Sequence, residues 1–203
     1  MPFRLVLATH NGGKIRELKE ILSELPAELA SLADLGLAEE TEETGNSYAA
    51  NARLKATAIC RLTGWPTLGD DSGLEVDALG GRPGVHTARY AGPAATNPDR
   101  WAKVLGELRH TPWPERTARF RCAMALVRPG LPPQIVEGVC EGMIALAPSG
   151  AGGFGYDPIF YLPEYGCTMA ALNEGIKNQI SHRARAGQKA KEVVLGWVSS
   201  STD

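Results

Sequence analysis

An apolar run from Phe3 to Ala8 gives way at once to the polar stretch Thr9-His10-Asn11-Gly12-Gly13-Lys14. Beyond it Ile15, Leu18, Ile21, Leu22 and Leu25 recur at helical spacing, with lysines and glutamates between them. A buried strand, a glycine turn and an amphipathic helix in that order point to an α/β architecture with the turn seated above a strand end. Such a turn directs backbone N–H groups and the positive end of a helix outward, which suits an anion. Taken alone it reads more simply as a plain helix start with an exposed lysine, since glycine turns of this kind are commonplace. It is not a Walker A loop, which needs four residues between its first glycine and a Gly-Lys-Ser/Thr ending.

The rest of the chain extends the same pattern. Asn46 or Ser47 caps a second helix that runs through the alanine-rich NARLKATAICRL and stops at Gly64. Trp65 to Val76 reads as a strand ending in an acidic turn, and Gly80 to Val85 as a loop. Asn97-Pro98 caps a third helix with Trp101, Val104, Leu105 and Leu108 on one face. Thr117–Val127 and Gln134–Gly142, joined by RPGLPP, read as an antiparallel hairpin. A glycine-rich stretch from Ser149 to Pro158 precedes the apolar IFYL, and a helix from about Ser181 to Gly196 closes the chain. No repeat or linker divides it, so 1–203 is expected to form a single α/β domain on a mixed sheet.

Composition excludes several classes. A chain of 203 residues buries enough surface (roughly 70%) to need no disulfide or structural metal. A net charge of −2 argues against extended nucleic-acid binding, which needs a basic face. Cys60, Cys122, Cys140 and Cys167 are scattered, with no CxxC pair, which reads as free thiols in a reducing cytoplasm rather than a zinc site. The first apolar run is too short for a signal peptide, and no segment approaches a membrane span.

Three further groups carry possible chemistry. Glu42-Glu43 and Asp70-Asp71 offer hard oxygen ligands of the kind magnesium takes, usually one or two carboxylates beside waters and substrate phosphates. Adjacent aspartates at a strand end point different ways, so one can face a metal while the other orients water or a neighbouring lysine. Phe154 or Tyr156, in Phe154-Gly155-Tyr156-Asp157-Pro158, offers a face for stacking on a planar base. Lys177 and then Ser181-His182-Arg183 place donors at the start of the last helix, against the preference of the helix dipole. Read singly, each is also compatible with a solvated turn, a core anchor or a surface helix start.

Together and in this order, the segments LATHNGGKIRELKEIL, EETGNSYAANARLKA, GDDSGLEVDALGGRPGVHTARYAG, GGFGYDPIF and KNQISHRARA resemble the non-canonical purine nucleoside triphosphate pyrophosphatases. The likeness spans almost the whole chain and is greatest for bacterial members. It implies an elongated two-lobed α/β fold with a central mixed sheet, a nucleotide cleft between the lobes, and a homodimer. The activity implied is Mg²⁺-dependent hydrolysis of ITP, dITP and XTP to the monophosphate and pyrophosphate. By resemblance, Thr9 to Lys14 form the triphosphate loop and Lys55 is a further phosphate-facing lysine. Glu42 and Asp71 are the implied metal ligands, and Asp71 the proton acceptor, with Asp70 a possible partner in that role. Ser72 contacts substrate, and Phe154 to Asp157, Lys177, His182 and Arg183 recognise the base. In place of the acidic run common before the last helix stands ALNEGIK. A Maf-type pyrophosphatase and a non-catalytic nucleotide sensor are the competing classes; the FGYDP and SHR segments speak against the first, and Lys14 with Glu42, Asp70 and Asp71 against the second.

Overall fold

The computed structural model describes residues 3–200. Seven strands form one mixed sheet in the order β2-β1-β3-β4-β5-β6-β7. These are β1 (Phe3–Leu7), β2 (Ala27–Ser31), β3 (Thr67–Val76), β4 (Thr117–Val127), β5 (Gln134–Ile144), β6 (Phe160–Leu162) and β7 (Cys167–Thr168). β1 runs parallel to β2, with Phe3 opposite Ala27, and parallel to β3, with Val6 opposite Thr67. β6 is antiparallel to both β5 and β7. The helices are α1 (Gly12–Ile21), α2 (Tyr48–Thr63), α3 (Asn97–Glu107), α4 (Glu174–Ile180) and α5 (His182–Ser199).

The chain divides into two compact units. Among the described residues the first comprises 3–71, 122–138 and 182–200. Its main core joins Leu5 and Leu7 of β1 and Leu68 of β3 to Leu18 and Ile21 of α1 and to Ala186, Ala190 and Val194 of α5. A smaller cluster sets Ala52, Ala56 and Cys60 of α2 against Ala125 and Val127. Helix α2 begins at Ser47, whose hydroxyl accepts from Ala50 N, and ends at Gly64 in the left-handed conformation, a position that glycine fills without a Cβ penalty. The second unit, Ser72–Arg121 and Val139–Ser181, is built on Leu74, Val76, Val104, Leu108, Phe120, Ile144 and Phe160. Its buried Arg116 donates to the carbonyls of Leu108, Ile144 and Ala145, so polar backbone ends there are bonded rather than stranded.

Several expectations need correction. Asp70 and Asp71 lie within β3 and not in a turn at its end; β3 continues unbroken to Val76 because both carboxylates have cationic partners in the interior. The cap of α3 is Thr96, in a reciprocal arrangement with Asp99, so Asn97 is the first helical residue. Strand β2, from AELAS, has only weak alternation and escaped the pattern reading. A separate helix, α4, precedes α5, with Ser181 closing it. No helix among the described residues is long and apolar enough to cross a membrane.

Candidate active site

In the first unit, the glycine turn becomes the N-terminus of α1. Asn11 caps it, its Oδ1 accepting from Lys14 N at 3.1 Å, and Thr9 Oγ1 accepts from Asn11 N at 3.2 Å. Gly12 and Gly13 occupy the first turn, where N–H groups have no intrahelical acceptor. His10 stands exposed, its Nε2 2.9 Å from the Glu39 carbonyl. Lys14 turns inward and forms an ion pair with Asp70 Oδ1, also donating to the Asp70 carbonyl at 3.4 Å.

Strand alternation separates the two aspartates. Asp70, 1% exposed, faces the α1/α5 side, where Arg183 Nε donates to Oδ2 at 3.0 Å and the Cys122 thiol donates to the same oxygen at 3.0 Å. Arg183 Nη1 in turn donates to Glu17 Oε2 at 2.6 Å. Burial alone pushes the Asp70 carboxyl up, but Arg183 and Lys14 outweigh it and hold it well below the usual carboxylate range. Asp71 faces α2. Its Oδ2 accepts from Asn51 Nδ2 at 3.0 Å and its Oδ1 lies 3.6 Å from Lys55 Nζ. Here burial prevails over Lys55 and Lys14, and the Asp71 carboxyl is raised. Lys55 also holds Glu43 at 2.7 Å; burial disfavours its charge, yet Asp71 and Glu43 together raise its pKa. Glu42 is exposed in the same loop.

Close backbone approach makes this possible. A Cβ on Gly69, which shares the face of Asp71, would collide with the Ala52 carbonyl and lie 2.9 Å from Ala56 N. Glycine therefore lets α2 lie directly on β3, bringing Asn51 and Lys55, one helical turn apart, to Asp71. A Cβ on Gly138 would likewise strike the His182 carbonyl and lie 2.5 Å from Ala186 N, so this glycine admits the start of α5.

The second unit holds the aromatic set. Asp157 Oδ2 accepts from Phe154 N at 2.8 Å and from Lys177 Nζ at 2.6 Å, and the ammonium lies 4.9 Å from the Phe154 ring centroid. Gly153, at φ +70°, has no room for a Cβ beside Asp157. The Gly155 carbonyl accepts from Trp101 Nε1 at 2.6 Å. Tyr156 is 2% exposed within the core, and its hydroxyl donates to the Thr87 carbonyl at 2.9 Å. Of the two aromatics offered for stacking, the structure withdraws Tyr156 and leaves Phe154. Ser72 is half-buried in β3, directly after Asp71.

The last helix departs from expectation. His182 and Arg183 do open α5, and both are buried. The guanidinium, however, is committed to Asp70 and Glu17, and these carboxylates resolve the conflict with the helix dipole. In this structure Arg183, expected as a donor for a base carbonyl, braces the acidic strand. Pattern reading also missed Glu17, Asn51 and Cys122. Glu17 could have been found as a carboxylate one turn from Lys14 on the apolar face of α1; Asn51 had only its spacing from Lys55 as a signal.

Fold and site together define an α/β enzyme in which a glycine turn, lysines and two oppositely facing carboxylates are arranged for a polyanionic substrate. The Ham1 family model matches residues 5–193. The chain belongs to the Ham1 family. The dITP/XTP pyrophosphatase of Geobacillus kaustophilus is 53% identical over 188 residues, covering 93% of this chain and 92% of that protein. A solved HAM1 protein from Coxiella burnetii has a TM-score of 0.86 at 40% identity, over 96% of this chain and 99% of the other. The Ham1 protein of Staphylococcus aureus gives 0.85 at 37%, over 95% and 98%.

Proposed function

We propose that the protein hydrolyses non-canonical purine nucleoside triphosphates such as ITP, dITP and XTP to the monophosphate and pyrophosphate. The observation that carries this reading is the geometry of β3, where Asp70 is enclosed by Lys14 and Arg183 while its neighbour Asp71 turns the other way to Asn51 and Lys55, next to the lysine of a glycine turn. Relatives named dITP/XTP pyrophosphatase support the substrate class.

In this reading, water attacks the α-phosphorus and pyrophosphate departs. Asp71 is the better proton acceptor of the pair, since Asp70 is tied to Lys14 and Arg183 and its basicity is spent. Lys14 and the N–H groups of Gly12 and Gly13 draw the phosphates, with Lys55 beside Asp71. Phe154 stacks on the base, while Lys177, fixed by Asp157, donates to a carbonyl acceptor at position 6; adenine presents a donor there and is disfavoured. Among the described residues no three metal-ligating side chains converge. Magnesium does not require such a cage, and the oxygen donors of Asp71 and Glu42 suit it. Bound there, Mg²⁺ supplies neutralisation of phosphate charge. Free thiols at all four cysteines support a cytoplasmic location, and the family resemblance suggests a homodimer.

The test is a nucleoside triphosphate panel assayed for pyrophosphate and orthophosphate, with Mg²⁺ and with chelator. ITP and XTP should far exceed ATP, pyrophosphate should appear first, and chelation should abolish release. Asp71→Asn should lower kcat by orders of magnitude with substrate still bound. Orthophosphate as the first product, or equal turnover of ATP and ITP, would overturn the reading.

A further inference from the structure

We propose that Asn51 is a positioning residue for the reaction, fixing the Asp71 carboxylate and the acidic loop around Glu42 in one geometry; this rests on the roles given above to those two residues. Asn51 is 2% exposed on α2. Its Nδ2 donates to Asp71 Oδ2 at 3.0 Å, and its Oδ1 accepts from Gly45 N at 2.8 Å. A carboxamide carries a donor and an acceptor on one rigid plane, so a single side chain ties β3 to the loop that carries Glu42 and Glu43. An aspartate of the same shape would keep the bond to Gly45 but set oxygen against oxygen at Asp71. A leucine would lose both bonds.

The surroundings are shaped to this amide. A Cβ on Gly45 would lie 2.6 Å from Asn51 Oδ1, so glycine lets the loop backbone close onto it. One turn further along α2, Lys55 spans the same two segments by charge, reaching Glu43 at 2.7 Å and Asp71 Oδ1 at 3.6 Å. Asn51 and Lys55 thus hold opposite oxygens of Asp71. Without the amide, the anchor on Oδ2 is lost while the pull of Lys55 on Oδ1 remains, and the carboxylate turns from the orientation a water or a cation needs. Residues that orient a ligand or base in this manner commonly change affinity or activity by about 10- to 100-fold.

The test compares Asn51→Leu, Gly45→Ala and Asp71→Asn with the parent protein in steady-state ITP hydrolysis, in thermal melting, and in titration with Mn²⁺ alone followed by electron paramagnetic resonance. Asn51→Leu should lower kcat about tenfold or more with KM changed less than about threefold, and should weaken Mn²⁺ binding by about tenfold. Gly45→Ala, which displaces the loop while retaining the amide, should lower kcat in the same direction. It decides the matter if Asn51→Leu does not fold. Parent-like kcat and Mn²⁺ affinity in a folded Asn51→Leu, or parent-like values in Gly45→Ala, would overturn the proposal. A fully active Asp71→Asn would instead remove the reading of Asp71 itself, and Asn51 with it.

Discussion

Asp70→Asn isolates the buried charge cluster of the first unit. Asp70, Glu17, Lys14 and Arg183 place two carboxylates against two cations, so the cluster is neutral as it stands. At the 3.0 Å of the Arg183 contact and an effective dielectric of about 20, one pair is worth about 5–6 kcal/mol before desolvation is subtracted. Asparagine abolishes the attraction to both Lys14 and Arg183 and leaves one uncompensated positive charge, while the relief of desolvating Asp70 offsets part of the loss. Breaking a buried pair from one side costs about 3–5 kcal/mol net, which at about 2–4 °C per kcal/mol for a chain of this size lowers Tm by about 6–20 °C. Calorimetry of Asp70→Asn, Arg183→Met and the double variant forms a cycle. The double variant should be about 1–3 kcal/mol more stable than the sum of the single losses, since the second change removes the stranded charge. A Tm for Asp70→Asn within about 2 °C of the parent, together with additive single effects, would refute the argument.

Two further changes separate packing from recognition. Gly69→Ala inserts a Cβ against the backbone of α2, and should cost about 1–3 kcal/mol by overpacking and also lower kcat, as Asn51 and Lys55 are levered off Asp71; a parent-like melt and turnover would contradict the close approach. Phe154→Leu keeps the backbone bond to Asp157 but loses the ring, so kcat/KM for ITP should fall by the equivalent of about 1–3 kcal/mol, with Tm little changed. An unaltered kcat/KM in that variant would remove stacking from the account.

Much of this was readable from the chain because the elements announce themselves locally. The strand–turn–helix opening, the capped α2 ending at Gly64 and the two long strands β4 and β5 follow from periodicity and punctuation, which report on neighbours a few residues apart. The tertiary assignments were less legible. Arg183 and Asp70 are far apart in sequence, and nothing in either segment shows that a guanidinium at a helix start will be neutralised by a strand carboxylate. Tyr156 and Phe154 are two positions apart and chemically alike; only the packing distinguishes a core ring from one beside a lysine. That neighbouring aspartates face different partners follows from strand alternation alone.

That alternation has a consequence for how the chain can change. Inserting one residue into β3 just before Gly69 would bring Gly69 into the slot among Lys14, Arg183 and Cys122, leaving the two cations to share the carboxylate of Glu17. Shortening it by one would drive Asp70 into the glycine slot, where even a methyl group meets the α2 backbone, and turn Ser72 toward Asn51. Insertions and deletions are therefore barred from this stretch in either direction, while point changes at its ends are not, and length variation among related chains should be confined to the loops.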